Sequence, residues 1–590
     1  MIERRLTALR ETMSKNQVDA YIMPLSDPHQ SEYPATHWKS LAWISGFTGS
    51  AGTVMVSKDH AGLWTDSRYF IQGEQELSDS SFELHKMKVQ NHPGYIDWCL
   101  NNLPEGSTVA LDSPMISLAQ REKFAKALET KKIKVKLTVD LIGADWTDRP
   151  VIPTEQIFEH PIKYAGVSRT DKIESIRKQM KEEGADYHLV TTLDDIAWIF
   201  NLRGKDVECN PVFVSYCVIG MDTTYLFINP SKLSQELTDK LSSQGITIKD
   251  YNDIVPFLSA LSSDKSILIH TTTINVQLHE ALKNANIING TLISRHLKAV
   301  KNETEIGHFR QVHIKDAVAL THAFYWLENT VKERTVSEYE FAAKLAECRG
   351  QREDYFGESF SAIVGYKGNG AIIHYRPEMD TCADIRNDGI LLVDSGGQYM
   401  DGTTDITRTI SFTPPPPEQK NAYTRVLKGH IGLAKAKFPK GTRGGQLDTF
   451  ARQALWDDEM NYGHGTGHGV GFFLNVHEPP QGFAPGTAGR ASSVQKEGMI
   501  TSNEPGHYVA DQYGIRIENL LLTKQATNED FLEFETITYF PIATNLIDFS
   551  ILTKDEVKWL NDYHADVKSK LLPLLEGEYK TWMEKKCAAV

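Results

Sequence analysis

Long apolar runs, paired cysteine spacings and stretches of one-signed charge are all missing from this 590-residue chain. Each absence narrows what it can be. No uncharged apolar run approaches the roughly eighteen residues that a membrane span needs, so no membrane partner is expected. Six cysteines (Cys99, Cys209, Cys217, Cys348, Cys382, Cys587) with no CxxC spacing exclude a disulfide framework and a thiolate zinc site, and they fit free thiols in a reducing, cytoplasmic setting. The formal charge of −14 is spread along the chain with no basic stripe, which argues against a nucleic-acid partner. The first residues, Met-Ile-Glu-Arg-Arg-Leu-Thr-Ala-Leu-Arg, lack an apolar signal core and place Ile2, Leu6, Leu9 and Met13 on one stripe of a packed helix. Hydrophobic residues at 41% and charged ones at 24% are ordinary for a soluble globular protein. The length exceeds what one core supports, and about three domains are expected.

Residues 1–148 alternate helical stretches with short strands and read as an α/β domain. A linker containing Pro150 and Pro153 opens a second unit, residues 149–300, with a helix around Lys172 to Glu183. This unit repeats the first. Ala185-Asp-Tyr-His-Leu-Val190 followed by Ile196-Ala-Trp-Ile echoes Asp19-Ala-Tyr-Ile-Met followed by Leu41-Ala-Trp-Ile, so two related α/β domains are predicted. Near residue 300 the texture changes, because Asn302-Glu-Thr-Glu305 is a capping-box start for a long helix through Ile314, Ala317, Leu320 and Phe324. A third domain, residues 301–590, begins there. Its tail, Leu552 to Val590, reads as helices with Trp559, Leu560 and Leu571 to Leu575 as the buried side and carries no assigned chemistry.

The chemistry concentrates in that third domain. Residues 390–409 carry Asp394 and Asp405 in apolar strand-like runs around a Gly-rich turn, and buried carboxylates are costly unless something positive compensates them. The midpoint between the two aspartates falls at 399–400 while the Asp401-Gly402 turn signal lies past it, which predicts a bulge or a longer loop rather than a tight hairpin. Between Gly463 and Gly471 glycine occupies every second position, so a helix is excluded and the segment is expected to be extended. In a straight strand His464 and His468 lie about 13 Å apart, too far to share one ion, so one is a metal ligand and the other a substrate or proton-transfer group. A glycine-rich turn with incidental histidines is the plainer reading of that segment alone. Glu504 and Glu518, each beside an apolar strand, change the balance. A single buried carboxylate is usually a hydrogen-bonded acceptor, but four in one domain call for about two divalent cations. Oxygen-rich ligation with one imidazole suits Mn²⁺, and two such ions about 3.5–4 Å apart share carboxylates and lower the pKa of a water between them.

These residues resemble a known family. Asp394 with Asp405, His468 in Gly-Thr-Gly-His-Gly-Val-Gly, Glu504 in Asn-Glu-Pro-Gly and Glu518 in Gly-Ile-Arg-Ile-Glu-Asn match in order the five-ligand pattern of the pita-bread metallopeptidases. Within it the chain resembles the three-domain, cytosolic-type aminopeptidase P branch over essentially its whole length. That likeness also rests on Ser26-Asp-Pro-His-Gln-Ser-Glu-Tyr33, Ser45-Gly-Phe-Thr-Gly-Ser-Ala-Gly52, Asn210-Pro-Val-Phe213, His313-Ile-Lys-Asp-Ala-Val-Ala-Leu320 and Phe473-Leu-Asn-Val-His-Glu478. The resemblance implies two creatinase-like α/β domains before a pita-bread catalytic domain, an α/β (α+β) fold. It further implies hydrolysis of the N-terminal Xaa-Pro bond of peptides by a hydroxide bridging two manganese ions, in a homodimer. Asp394 would bind one ion, Asp405 and Glu518 would bridge both, and His468 and Glu504 would complete the shells. Glu504 would also be the general base. His374, His464 and His477 would position the scissile carbonyl and stabilise the tetrahedral intermediate, and Arg68 would help bind substrate.

Simpler roles stand beside these. His374 as a core histidine and Arg68 as an ion-pair partner of Asp66 are the plain structural readings. Arg516 shares a strand face with Glu518 and is expected to orient the metal carboxylates. Ser67 and Gly73 depart from the Gly and Ala of the family pattern near Arg68. A prolidase confined to Xaa-Pro dipeptides is the nearest alternative. A metal-independent creatinase-like hydrolase and a metal-free binding module on the same fold are the others, and the intact five-residue set argues against both.

Overall fold

The computed structural model describes residues 1–87, 93–138 and 140–590. Its backbone gathers into two units, Met1–His160 with Val167–Ser294, and Pro161–Gly166 with Arg295–Val590.

In the first unit the opening helix, Ile2–Lys15, buries Leu6, Leu9 and Met13 and leaves Ile2 partly exposed, as its 3.6-residue stripe requires. It covers a six-stranded sheet ordered Glu83–Lys86, Ala61–Thr65, Thr53–Ser57, Ala20–Pro24, Thr108–Asp112, Lys134–Thr138. A second sheet repeats that order and sense: Ile246–Lys249, Thr224–Ile228, Ser215–Gly220, Tyr187–Val190, Ser266–Ile269, Asn286–Asn289. In both, the central strand pairs antiparallel on one side and parallel on the other. The echoed Ala-Trp-Ile segments lie in equivalent helices, Ser40–Ser45 and Leu193–Phe200, that follow the equivalent strands. The repeat in the sequence is therefore a repeat of topology. Ser117 and Asn275, which cap equivalent helices, meet in an antiparallel bridge, and Asn275 Nδ2 donates to the Pro28 carbonyl at 2.8 Å.

The second unit begins with the predicted capping box. Glu305 N–H donates to Asn302 Oδ1 and Asn302 N–H to Glu305 Oε2, both at 3.0 Å, starting the helix Glu303–Thr330. Phe309, Val312, Ala317, Leu320, Phe324 and Leu327 bury one side of it. The helix Pro417–Ala434 opens on proline, whose missing N–H costs nothing in a first turn, and packs on Gly444–Trp456.

Two sheets carry the site. One is three-stranded, with Ile390–Ser395 between Ile363–Tyr366 and Ile406–Ser411, so that Asp394 lies opposite Ile363 and Thr407. Its central strand is buried on both faces, as its unbroken apolar run predicts. The connection from Asp394 to Asp405 is a longer excursion, as its off-centre turn signal implied. Residues 397–399 and 402–403 make a small hairpin of their own, in a separate sheet with Tyr355–Glu358. The other sheet is six-stranded, ordered Lys437–Pro439, Phe531–Thr536, Asn519–Gln525, Ile500–Asn503, Gly467–Gly469, Glu478–Phe483.

The tail forms the helices Lys554–Leu571 and Gly577–Lys586, which bury Leu560, Leu571 and Met583, with Leu575 buried between them. The expectation that Leu571 to Leu575 share a buried side needs correction. Leu574 is 55% exposed, because Leu572–Leu574 is a 3₁₀ turn in which successive side chains point about 120° apart.

Candidate metal centre

Register explains how residues far apart in sequence meet. Asn503 pairs with Asn519 in adjacent antiparallel strands, so Glu504, just past the end of one, and Glu518, just before the start of the other, emerge side by side. The next strand, Gly467–Gly469, carries His468. Its pairing jumps from His468 opposite Gly482 to Gly469 opposite Glu478, which brings the preceding His477 against His468 with ring centroids 4.3 Å apart. Only glycine permits this pairing: a Cβ at Gly467 would lie 1.8 Å from the Ser502 carbonyl oxygen, and one at Gly469 would lie 2.3 Å from that of Glu478. The segment is strand only over these three residues, and His464 sits on a bend ahead of it, shorter than the extended run expected from the alternating glycines.

The three-stranded sheet delivers the aspartates to the same place, with Glu518 N–H donating to the Thr407 carbonyl at 3.1 Å and joining the two sheets. One ligand atom each of Asp405, His468 and Glu518 lies within 4.8 Å of the others. His468 Nε2 stands 3.4 Å from Asp405 Oδ2 and 3.3 Å from Glu504 Oε1. Asp394, 7% exposed, is held by Arg516, whose Nε and Nη2 donate to its Oδ2 at 3.1 and 2.7 Å. Arg516 thus orients a candidate ligand, though the strand Tyr513–Arg516 ends before Glu518 and the two share no strand face. Thr407 Oγ1 donates to Glu518 Oε2 at 2.8 Å and Ser502 Oγ to Glu504 Oε1 at 3.0 Å.

The electrostatics call for cations. Burial and the neighbouring charge of Asp394 push the Asp405 carboxyl well above the usual range. Burial, then Asp405, Asp394 and Glu504, do the same to Glu518. Burial raises Glu504 as well, against the pull of His468. Asp394 Oδ1 and Glu518 Oε1 are buried with no hydrogen-bond partner. His468 adds a sharper observation. Its Nδ1 lies 3.0 Å from the Gly469 carbonyl, which can only accept, so the neutral ring carries its proton there and turns the Nε2 lone pair toward two carboxylates. Lone pair facing carboxylate is repulsive unless a cation lies between them. The donor set of four carboxylates and one correctly oriented imidazole therefore fits divalent ions.

Around this set the other predicted residues distribute unevenly. His464, buried, has Nδ1 2.7 Å from the Gly465 carbonyl and Nε2 2.8 Å from the Tyr508 hydroxyl, which in turn accepts from Arg516 Nη1 at 2.6 Å. A chain His464–Tyr508–Arg516–Asp394 results. His374 is half-buried in a turn whose preceding carbonyl, on Ile373, accepts from Arg516 Nη2 at 3.3 Å. Arg68 belongs to the first unit, where its Nε and Nη2 grip Asp66, each at 2.8 Å, the ion pair of the plain reading. Tyr508, Ser502 and Thr407 were not singled out from sequence. The one available signal was position, Ser502 and Thr407 each two residues from a candidate ligand and Tyr508 four past Glu504.

The third region matches the metallopeptidase family M24 over residues 307–525, followed by the C-terminal region of peptidase M24 over 530–590. Residues 5–141 and 148–305 each match the creatinase/prolidase N-terminal domain. A probable Xaa-Pro aminopeptidase P of Laccaria bicolor is 41% identical over 99% of this chain and 93% of its own length. Xaa-Pro aminopeptidase 1 of Dictyostelium discoideum is 40% identical over 98% and 94%. Among solved structures, an X-prolyl aminopeptidase from Caenorhabditis elegans, described as a cytosolic enzyme with a di-nuclear active site, superimposes with a TM-score of 0.96 at 31% identity over the full length of both chains. With its creatinase-type domains, its M24 region and this end-to-end likeness, the chain belongs to the aminopeptidase P family of the M24 metallopeptidases.

Proposed function

We propose that the chain is a metal-dependent aminopeptidase that hydrolyses the N-terminal Xaa-Pro bond of peptides. The observation that carries this is the convergence of Asp394, Asp405, His468, Glu504 and Glu518, with buried unpaired oxygens, in a chain that matches Xaa-Pro aminopeptidases from end to end. These five side chains would hold two divalent ions. Manganese is our assignment, because carboxylate-rich ligation suits a hard ion. Once bound, the ions would polarise the scissile carbonyl and make water acidic enough to attack near neutral pH.

The protein's own groups do the rest. Glu504 would accept a proton from the attacking water and return it to the departing proline nitrogen, which has no hydrogen of its own while in the peptide bond. His374 and His477 donate hydrogen bonds to the carbonyl oxygen as charge develops on it. His464, whose Nε2 accepts from Tyr508 when the ring is neutral, takes part through that hydroxyl. Arg68 is assigned to substrate binding, which requires it to share its charge between Asp66 and the peptide.

We also assign the chain to the cytoplasm, as a homodimer, and divide it at residues 148 and 300. That none of the six cysteines is in a disulfide supports the first, and the two like sheets of the first unit support the division. The functional reading is tested on a peptide Xaa-Pro-Xaa: release of the free N-terminal residue and an intact Pro-Xaa product is expected. Cleavage of Xaa-Pro alone, with the tripeptide untouched, would replace it with the prolidase reading.

A further inference from the structure

The first unit carries its own cluster of metal-binding side chains, on the edge of its first sheet. The strand Ala61–Thr65 pairs in parallel with Glu83–Lys86, Gly62 opposite Glu83 and Trp64 opposite His85. Side chains alternate between faces, so Glu83 and His85 share one face, and His60, in the turn that leads into Ala61, lies on the same row as Gly62 and Trp64. Gly62 leaves a gap in that row. A Cβ there would stand 2.7 Å from His60 Nε2 and 2.6 Å from Trp64 Cζ3, so any side chain would displace the His60 ring. Through the gap His60 Nε2 reaches within 3.3 Å of His85 Nε2.

The two rings are held where they are. His85 stacks on Trp64, with centroids 4.0 Å apart and planes 3° from parallel, and His60 stacks on Trp98 at 4.4 Å and 20°. Glu83 completes the group, with Oε2 3.7 Å from His60 Nδ1 and Oε1 3.9 Å from His85 Nε2. One ligand atom from each of the three residues lies within 4.8 Å of the others. Two imidazole nitrogens bound to one tetrahedral zinc at about 2.0–2.1 Å are about 3.3–3.4 Å apart, the spacing these rings already have. The Glu83 side chain, 65% exposed, can turn toward the point between the two Nε2 atoms at little cost.

We propose that His60, His85 and Glu83 form a binding site for one divalent transition ion of the zinc class, composed of residues separate from the M24 centre, with water completing the coordination. Bound there, the ion ties the Thr53–Thr65 hairpin to the edge strand and protects that edge of the sheet.

The competing reading is an N–H···N hydrogen bond between two neutral rings, and metal stoichiometry separates them. Full-length protein is dialysed to equilibrium against micromolar ZnCl₂ beside the double variant His60→Gln/His85→Gln, both with peptidase activity measured after identical metal loading. The expected result is one zinc equivalent fewer in the variant with activity unchanged. In parallel, Ni²⁺ should quench part of the tryptophan fluorescence of the unaltered protein, through Trp64 and Trp98, and not of the variant. Should the double variant fold poorly, Glu83→Gln on an exposed side chain serves instead, and it should weaken that zinc equivalent about tenfold. Equal zinc stoichiometry in the double variant, or unaltered zinc affinity in Glu83→Gln, overturns the site and leaves a hydrogen-bonded histidine pair.

Discussion

In the proposed mechanism Glu504 carries the heaviest chemical duty of any single side chain. It sits one residue past a strand end, accepts from Ser502 Oγ at 3.0 Å and faces His468 Nε2 at 3.3 Å, a position set by backbone pairing rather than by a flexible loop. Changing Glu504→Gln preserves shape and removes the proton acceptor and one charge from the proposed metal-holding set. Turnover on a Pro-peptide is expected to fall about 10²–10⁴-fold with the circular dichroism spectrum and melting midpoint essentially kept, and unchanged turnover would take Glu504 out of the base role. At this scale the sequence is generous with ligands and poor in supports. Carboxylates in apolar runs announce themselves, because burying one without compensation is costly. Tyr508 does not: a tyrosine in Gly-His-Tyr-Val is ordinary strand material, and only the fold reveals that it links His464 to Arg516.

Among the elements, the strand Ile406–Ser411 shows where legibility ends. The aspartate just before it can be read directly. Arg408, in the Thr-Arg-Thr run, carries no local sign of burial, yet it is 2% exposed. Its guanidinium donates to the carbonyls of Thr407, Glu518, Phe540 and Pro541, to Asn519 Oδ1 and to the Tyr563 hydroxyl. Such a buried cation is legible only once the strand beside it, the segment 540–541 and the tail helix are seen to close over it. The tail therefore contributes Tyr563 to the hydrogen-bond network that ties the backbone of Thr407 and Glu518 together through Arg408. Lysine keeps the charge and loses the planar fork, so Arg408→Lys is expected to cost about 3 kcal/mol in denaturant unfolding, together with weaker metal retention. A midpoint within error of the parent would show that these hydrogen bonds are replaced by others. The capping box at Asn302 is readable because local chemistry alone decides it, and the Ala-Trp-Ile echo is readable as a repeat, though not as the helices it forms. The small hairpin between Asp394 and Asp405 was not, since its partner strand, Tyr355–Glu358, lies some forty residues upstream.

For the molecule as a whole, buried histidines set the acid limit. His188 lies fully buried in the second sheet of the first unit, with Nδ1 3.1 Å from the Leu268 carbonyl, and burial lowers its pKa from 6.5 to about 4. Because the folded form holds the ring neutral, the unfolded chain binds more protons between these values. The contribution is fully present above pH 6.5 and is lost as pH falls toward about 4, by about 1.4 kcal/mol per unit. His188→Gln keeps the hydrogen bond without titrating, so its denaturation midpoint should fall less steeply than the parent's over that range; parallel curves would assign the acid sensitivity elsewhere. The same global view joins two sheets, five donors and a chain-long family likeness into one reading, that catalysis depends on a pair of ions at Asp394, Asp405, His468, Glu504 and Glu518. Stepwise return of Mn²⁺ to exhaustively chelated protein, followed by release of the N-terminal residue from an Xaa-Pro-Xaa peptide, tests it most directly. Activity should vanish on chelation and climb to a plateau at about two equivalents per chain; full activity in protein shown by mass spectrometry to hold no metal would contradict it.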